Sequence, residues 1–162
     1  MQTNPSAFSR TYDSIQNKLI NESWVKYQDK SYEAKTLWDT GATCSCISHE
    51  VVNALGLTPT GIAPIQTPSG ETTVNTYLVD IELPNKVPVK DVRVFETEIG
   101  KQGLGLLIGM DIINQGDFSV SNFNGKTTFT FCIPSLKTLD YAKQIIARNV
   151  IGAKHGSGKR KR

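Results

Sequence analysis

Punctuation constrains this chain more than any other sequence feature. Between Trp24 and Pro134 the apolar residues come in short runs, and the runs are separated by turn signals at Gln28-Asp29-Lys30, Pro68-Ser69-Gly70, Pro84-Asn85-Lys86 and Asn124-Gly125. Segments cut to strand length, many with apolar residues two apart, bury their faces by pairing with one another, which points to a mainly β fold. "WVKYQDKSYEAKTLW" reads as two β segments around a polar turn. "IQTPSGETTVNTYLVDIEL" reads as a hairpin that leads out through Val74, Tyr77, Val79, Ile81 and Leu83. Asn124-Gly125 is the strongest short hairpin signal in the chain. Pro88 inside "VPVKDVRVFE" marks an edge or a bulge, because proline donates nothing to a ladder.

Helical patterns are few. Ser48 is placed to cap a short helix whose apolar face is Val51, Val52 and Leu55, with Gly56 ending it. A second short helix is expected from Asp111 to Gln115, stopped by Gly116, after the apolar run Leu104 to Ile108. Leu139, Ala142, Ile145, Ile146 and Val150 recur at helical spacing over Leu136 to Val150, a pattern that usually marks a docking face. A short helix is also expected around Ser14 to Ile20. The architecture read from these patterns is all-β (mainly β): a small closed β-barrel with one or two short helices and an extra C-terminal helix.

At 162 residues the chain fits one domain with short appendages. The expected division is an N-terminal extension over 1–23, a domain over 24–134, a helical segment over 135–152 and a basic tail over 153–162. No run of eighteen apolar residues occurs, so no membrane span is expected. The first residues lack the apolar centre of a signal peptide. Cys44, Cys46 and Cys132 are too few and too odd in number for a disulfide scaffold, which favours a reducing, intracellular setting. Lys154, Lys159, Arg160, Lys161 and Arg162 carry five of the positive charges. Without them the formal net charge of +3 becomes −2, so the body is not basic. Nucleic acid is therefore not an expected partner except through that tail, whose simpler reading is a solvated end.

One stretch carries chemistry. Leu37 and Trp38 run directly into Asp39-Thr40-Gly41-Ala42, and apolar flanks imply a buried aspartate whose lost hydration must be compensated. A carboxylate in a tight turn activates water efficiently when a second acid sits beside it, because two close carboxylates share one proton. The chain has no second Asp-Ser/Thr-Gly. If the chemistry operates, the second aspartate comes from another copy of the chain.

"LWDTGATCSCIS", the Pro68-Ser69-Gly70 hairpin and the later "LLIGMDII", in that order and spacing, resemble a retropepsin-type aspartic protease subunit of the retroviral and retrotransposon kind. The resemblance covers roughly Trp24 to Pro134. It implies a homodimeric aspartic endopeptidase with Asp39 as catalytic carboxylate, and with Thr40 at the base of the site bonding across the two-fold axis. Gly41 and Ala42 would offer backbone and surface to the substrate. Ser69 and Gly70 would form a flap tip, and Ile108 and Gly109 would back the catalytic loop. The implied substrate is an extended polypeptide, and neither cofactor nor metal is implied. Two departures stand out. Thr43 and Met110 occupy positions where retroviral enzymes commonly carry an acid and an arginine, and Trp38 is bulkier than the usual aliphatic residue.

Other readings compete. Asp39 alone is compatible with a structural turn. Cys44, Cys46, His49 and Cys132 offer zinc-ligand types, but at spacing unlike a C-x-x-C knuckle. A cysteine nucleophile lacks a well-placed histidine, since His49 is too near in sequence and His155 lies in the tail. The main alternative is a retropepsin-like dimerisation or peptide-binding module without proteolysis.

Overall fold

The fold is known from a computed structural model, which describes residues 4–67 and 70–156. Strands β1 (Ser6–Thr11), β2 (Leu19–Tyr27), β3 (Lys30–Trp38) and β4 (Cys46–Ser48) lead into helix α1 (His49–Leu55). Strands β5 (Gly61–Thr67), β6 (Gly70–Glu82) and β7 (Pro88–Thr97) follow, then a 3-10 turn over Glu98–Gln102. The chain continues through β8 (Leu106–Ile108), α2 (Met110–Ile113), β9 (Asp117–Ser121), β10 (Thr128–Ile133) and α3 (Tyr141–Gly156).

Pairing closes a ring. The larger sheet runs β2-β3-β8-β4-β7-β6-β5, and β6 returns to β2 through Trp24↔Glu82, Val25↔Ile81 and Lys26↔Asp80. The expected barrel is thus a six-stranded ring from β2 to β6, with β5 attached outside it. Its filling is the alternate inward residues, among them Val25, Ala34, Ile47, Ile81, Val94, Leu106 and Ile108, all fully buried. Helix α1 seals one side with Val51, Val52 and Leu55. Its start is capped as expected, the Ser48 hydroxyl accepting from the Val51 amide at 3.4 Å, and Gly56 ends it at φ 63°. The turn between β2 and β3 passes through Gln28 at φ 54°.

The irregularity expected near Pro88 lies a little further on. Pro88 opens β7 opposite Glu82, where no donor is demanded, and the register slips between Val79 and Ile81. There Asp91 takes φ 52°, and the Asp80 carboxylate accepts from its amide at 3.0 Å.

A second sheet, β1-β10-β9, covers the end of the ring. Phe8, Phe118, Phe129 and Phe131 from its three strands surround Trp38, with ring centroids 5.7, 5.8, 5.9 and 4.9 Å away. The indole N–H donates to Asn21 Oδ1 at 2.5 Å, which satisfies the polar atom of a side chain only 4% exposed. Trp38 therefore welds the two sheets together.

Several sequence expectations are corrected. No helix forms over Ser14 to Ile20: bends occupy the start of that stretch and Leu19 opens β2. Tertiary bonds override the local pattern, with Tyr12 Oη donating to the Ile20 carbonyl at 2.6 Å and accepting from its amide at 2.7 Å. Within the stretch expected as an N-terminal extension, β1 pairs along its whole length with β10, and Trp24 falls inside β2. The C-terminal helix starts at Tyr141, so Leu139 lies before it, and Ile145, Ile146 and Val150 of the expected docking face are exposed in the single chain. Ser69 and most of the basic tail lie outside the described residues. Among the described residues no helix is long and apolar enough to cross a membrane.

Candidate active site

Asp39 follows the last residue of β3, and the strand's neighbour fixes its position. In parallel pairing Trp38 lies opposite Ile108, and the Asp39 amide donates to the Ile108 carbonyl at 3.0 Å. The chain then turns. The Ala42 amide reaches back to the Asp39 carbonyl at 3.2 Å, and the Gly41 amide donates to Asp39 Oδ1 at 2.8 Å. A Cβ on Gly41 would stand 3.1 Å from that same oxygen, so glycine keeps the carboxylate uncrowded. One carboxylate oxygen is thereby held by a backbone donor, leaving the other for chemistry.

Asp39 is half-buried, and Thr40 and Gly41 are exposed. That corrects the expectation of a buried aspartate. Trp38 takes the inward position, and the loop after it faces outward at the surface of the single chain. Among the described residues the Thr40 hydroxyl has no hydrogen-bond partner within the chain. Ile108, expected at the substrate, is fully buried in the single chain. Leu107 and Leu37, paired across β8 and β3 and half-buried, lie on the opposite face and offer apolar surface near Asp39. Leu37, Asp39, Thr40, Phe118 and Val120 line an open recess of about 370 Å³.

The loop is held by a device whose parts the sequence contains but does not advertise. Asp111 Oδ2 accepts from the Ser45 amide at 2.9 Å, and Oδ1 accepts from the Ser45 hydroxyl at 2.7 Å. The same hydroxyl oxygen accepts from the Gly109 amide at 3.1 Å. Two further bonds, Met110 N–H to the Ala42 carbonyl at 2.8 Å and Asp111 N–H to the Thr43 carbonyl at 3.2 Å, complete the lock. Gly109 has no room for a side chain, since a Cβ there would meet the Cys44 carbonyl group at 2.7 Å. An acid–arginine pair is thus absent, and an acid–serine bracket ties the two loops. Only the placement of "GMD" at the start of a short helix hinted at Asp111.

The hairpin of β5 and β6 projects past the ring, its last described pair being Thr67↔Gly70. Gly70 adopts φ 116°, a conformation that suits glycine at a tight bend. Beneath the hairpin a recess of about 740 Å³ opens between Ile65 and Val74 on one side and Glu96 to Gln102 on the other. Glu96 in this recess was not anticipated. Burial would raise its carboxyl, yet bonds from His49, Tyr77 and Asn75 outweigh that and hold it below the usual range.

The metal-ligand types are not gathered. Among the described residues no three of His, Cys, Asp or Glu are placed to hold a metal ion. His49 is engaged with Glu96 at 2.6 Å, and burial pushes the Cys46 thiol up to about 11, a poor state for a ligand or nucleophile.

The geometry of a strand-borne Asp-Thr-Gly loop locked to a Gly-containing loop agrees with sequence comparison. The family described as "gag-polyprotein putative aspartyl protease" matches residues 25–115. The chain belongs to that aspartyl protease family. No curated protein matches it in sequence. Among solved structures, a retropepsin-like aspartic protease from Rickettsia conorii is similar at a TM-score of 0.56 and 14% identity, covering 80% of this chain and 96% of that one. The EIAV protease, complexed with the inhibitor HBY-793, is matched at a TM-score of 0.48 and 18% identity over 64% of this chain and 90% of that one. At such identity the Rickettsia structure speaks for the fold, and the aspartyl protease family assignment rests on the sequence match.

Proposed function

We propose that this chain is an aspartic endopeptidase that works as a homodimer, with one Asp39 from each copy. The observation that carries the reading is the presentation of Asp39. Its loop is fixed by the Ser45–Asp111 bracket, one oxygen is held by the Gly41 amide, and the carboxylate stands half-exposed beside exposed Thr40. A lone surface aspartate needs no such bracing. A pair meeting across a two-fold axis needs both loops rigid, because their shared proton depends on short carboxylate separation.

In the dimer, one Asp39 is ionised and takes a proton from water while the water oxygen bonds to the peptide carbonyl carbon. The other Asp39, protonated, donates to the carbonyl oxygen. Proton return to the amide nitrogen breaks the C–N bond and restores the dyad. In this reading the exposed Thr40 hydroxyl, without a hydrogen-bond partner among the described residues, bonds to the second copy. The β5–β6 hairpin closes over an extended polypeptide, with Gly70 at its bend. Three free cysteines support a reducing, intracellular setting.

The test is digestion of a complex peptide library by wild type and by Asp39→Asn, read by mass spectrometry. Cleavage present in wild type and absent in the variant is expected. Peptide binding without cleavage by a folded, dimeric wild type would assign a binding module instead.

A further inference from the structure

We propose that Glu96 makes the recess under the β5–β6 hairpin a selective pocket for a lysine or arginine side chain of the substrate; the inference rests on the endopeptidase reading and deepens it. The walls suit a long aliphatic stem. Ile65 and Val74 of the hairpin and Ile99 of the following turn give apolar surface around a space of about 740 Å³. A lysine or arginine stem buries well against such walls when its head reaches a polar group.

Glu96 supplies that group. Its side chain is only 13% exposed, and its oxygens are fixed by three donors. Oε1 accepts from His49 Nδ1 at 2.6 Å, and Oε2 accepts from Tyr77 Oη at 2.7 Å and Asn75 Nδ2 at 3.0 Å. An ionised carboxylate has about four acceptor positions, so one remains, and it lies on Oε1. The other charges lining the recess nearly cancel. Glu98 is paired with Lys101 at 2.5 Å, which leaves Glu96 as the other acid lining the recess. A fixed, poorly hydrated carboxylate with a spare acceptor position favours a cationic N–H donor over an apolar side chain of equal length.

Its place in the sheet sets the substrate position. Glu96 pairs with Ile47, Ile47 with Leu106 and Leu106 with Thr36, so it lies three strands away from β3 and level with a residue three before Asp39. The selected side chain is therefore away from the scissile bond, and the bond itself is chosen by other contacts.

The test separates binding from cleavage. Peptides carrying lysine, norleucine or glutamine at each position in turn are titrated calorimetrically into full-length Asp39→Asn, in that background and with Glu96→Gln or Glu98→Gln added. At one position away from the scissile bond, lysine is expected to bind roughly tenfold tighter than norleucine or glutamine. Glu96→Gln is expected to erase that ratio while norleucine binding persists, and Glu98→Gln to leave it. A ratio near one in the Asp39→Asn protein overturns the proposal, as does a ratio that survives Glu96→Gln or that glutamine matches. Wild type that binds with this selectivity yet cleaves nothing would overturn the endopeptidase reading and leave the pocket standing.

Discussion

The Asp111 carboxylate brackets Ser45, accepting from its amide at 2.9 Å and its hydroxyl at 2.7 Å. Through that bracket the loop bearing Asp39 is joined to the loop bearing Gly109 without any charge pair. Ser45 is fully buried, so both of its donors depend on Asp111 for satisfaction.

Removing the bracket is therefore costly. Asp111→Ala strands two buried donors, each worth about 1–3 kcal/mol, and is expected to lower stability by roughly 2–5 kcal/mol. Asp111→Asn keeps one acceptor and is expected to lose less. Urea denaturation checks the order. Equal stability of Asp111→Ala and wild type would show that the loops are held by their backbone bonds alone.

Trp38 is expected to matter more for folding than for chemistry. Trp38→Ala removes the centre of a five-ring aromatic cluster and orphans Asn21 Oδ1, at a cost of about 3–5 kcal/mol. Trp38→Phe keeps the rings packed and is expected to cost less. Chemical denaturation of both variants gives the comparison, and a near-neutral Trp38→Ala would refute the role as the weld between the sheets.

Acid should release the chain after β10 before it unfolds the barrel. Bonds from the Ser135 hydroxyl, the Leu136 amide and the Lys137 amide hold the Asp117 carboxyl below the usual aspartate range. A depressed folded value means the contribution is complete above about pH 3.9, the unfolded value, and is lost as pH falls through the folded one. Amide exchange at Leu136 and Lys137 is expected to quicken across that interval, relative to neighbours and after correction for intrinsic rates. Unchanged protection there would contradict the assignment.

How much of this was legible follows from the range of each interaction. The cap at Ser48, the stop at Gly56, the turn at Gln28 and the strands flanking Asn124-Gly125 are short-range features, and each is found where its residues sit. The connection there spans residues 122–127, longer than a two-residue turn, with the Thr127 hydroxyl bonding to Asn122 Oδ1 at 2.6 Å. Strand β1 was invisible because its partners lie at the other end of the chain, Ser9 meeting Thr130 through their hydroxyls at 2.9 Å. Asp39-Thr40-Gly41 identified the loop, but its flanks misled about burial, since a strand alternates and Trp38 used the inward place. Asp111 and Glu96 were missed because their functions lie in what folding brings to them. No local pattern announces Ser45 for one, or His49, Tyr77 and Asn75 for the other.

The most direct test of the account is a subunit-mixing titration. Wild type is mixed with Asp39→Asn at fixed total concentration, allowed to exchange subunits, and assayed for cleavage of a peptide found in the library digest. If each site needs one Asp39 from each copy, an equal mixture should retain about one quarter of the wild-type activity, the share of dimers with two intact aspartates. Activity that falls only in proportion to the wild-type fraction, to about one half, would mean that a single chain carries a complete site and would contradict the shared dyad.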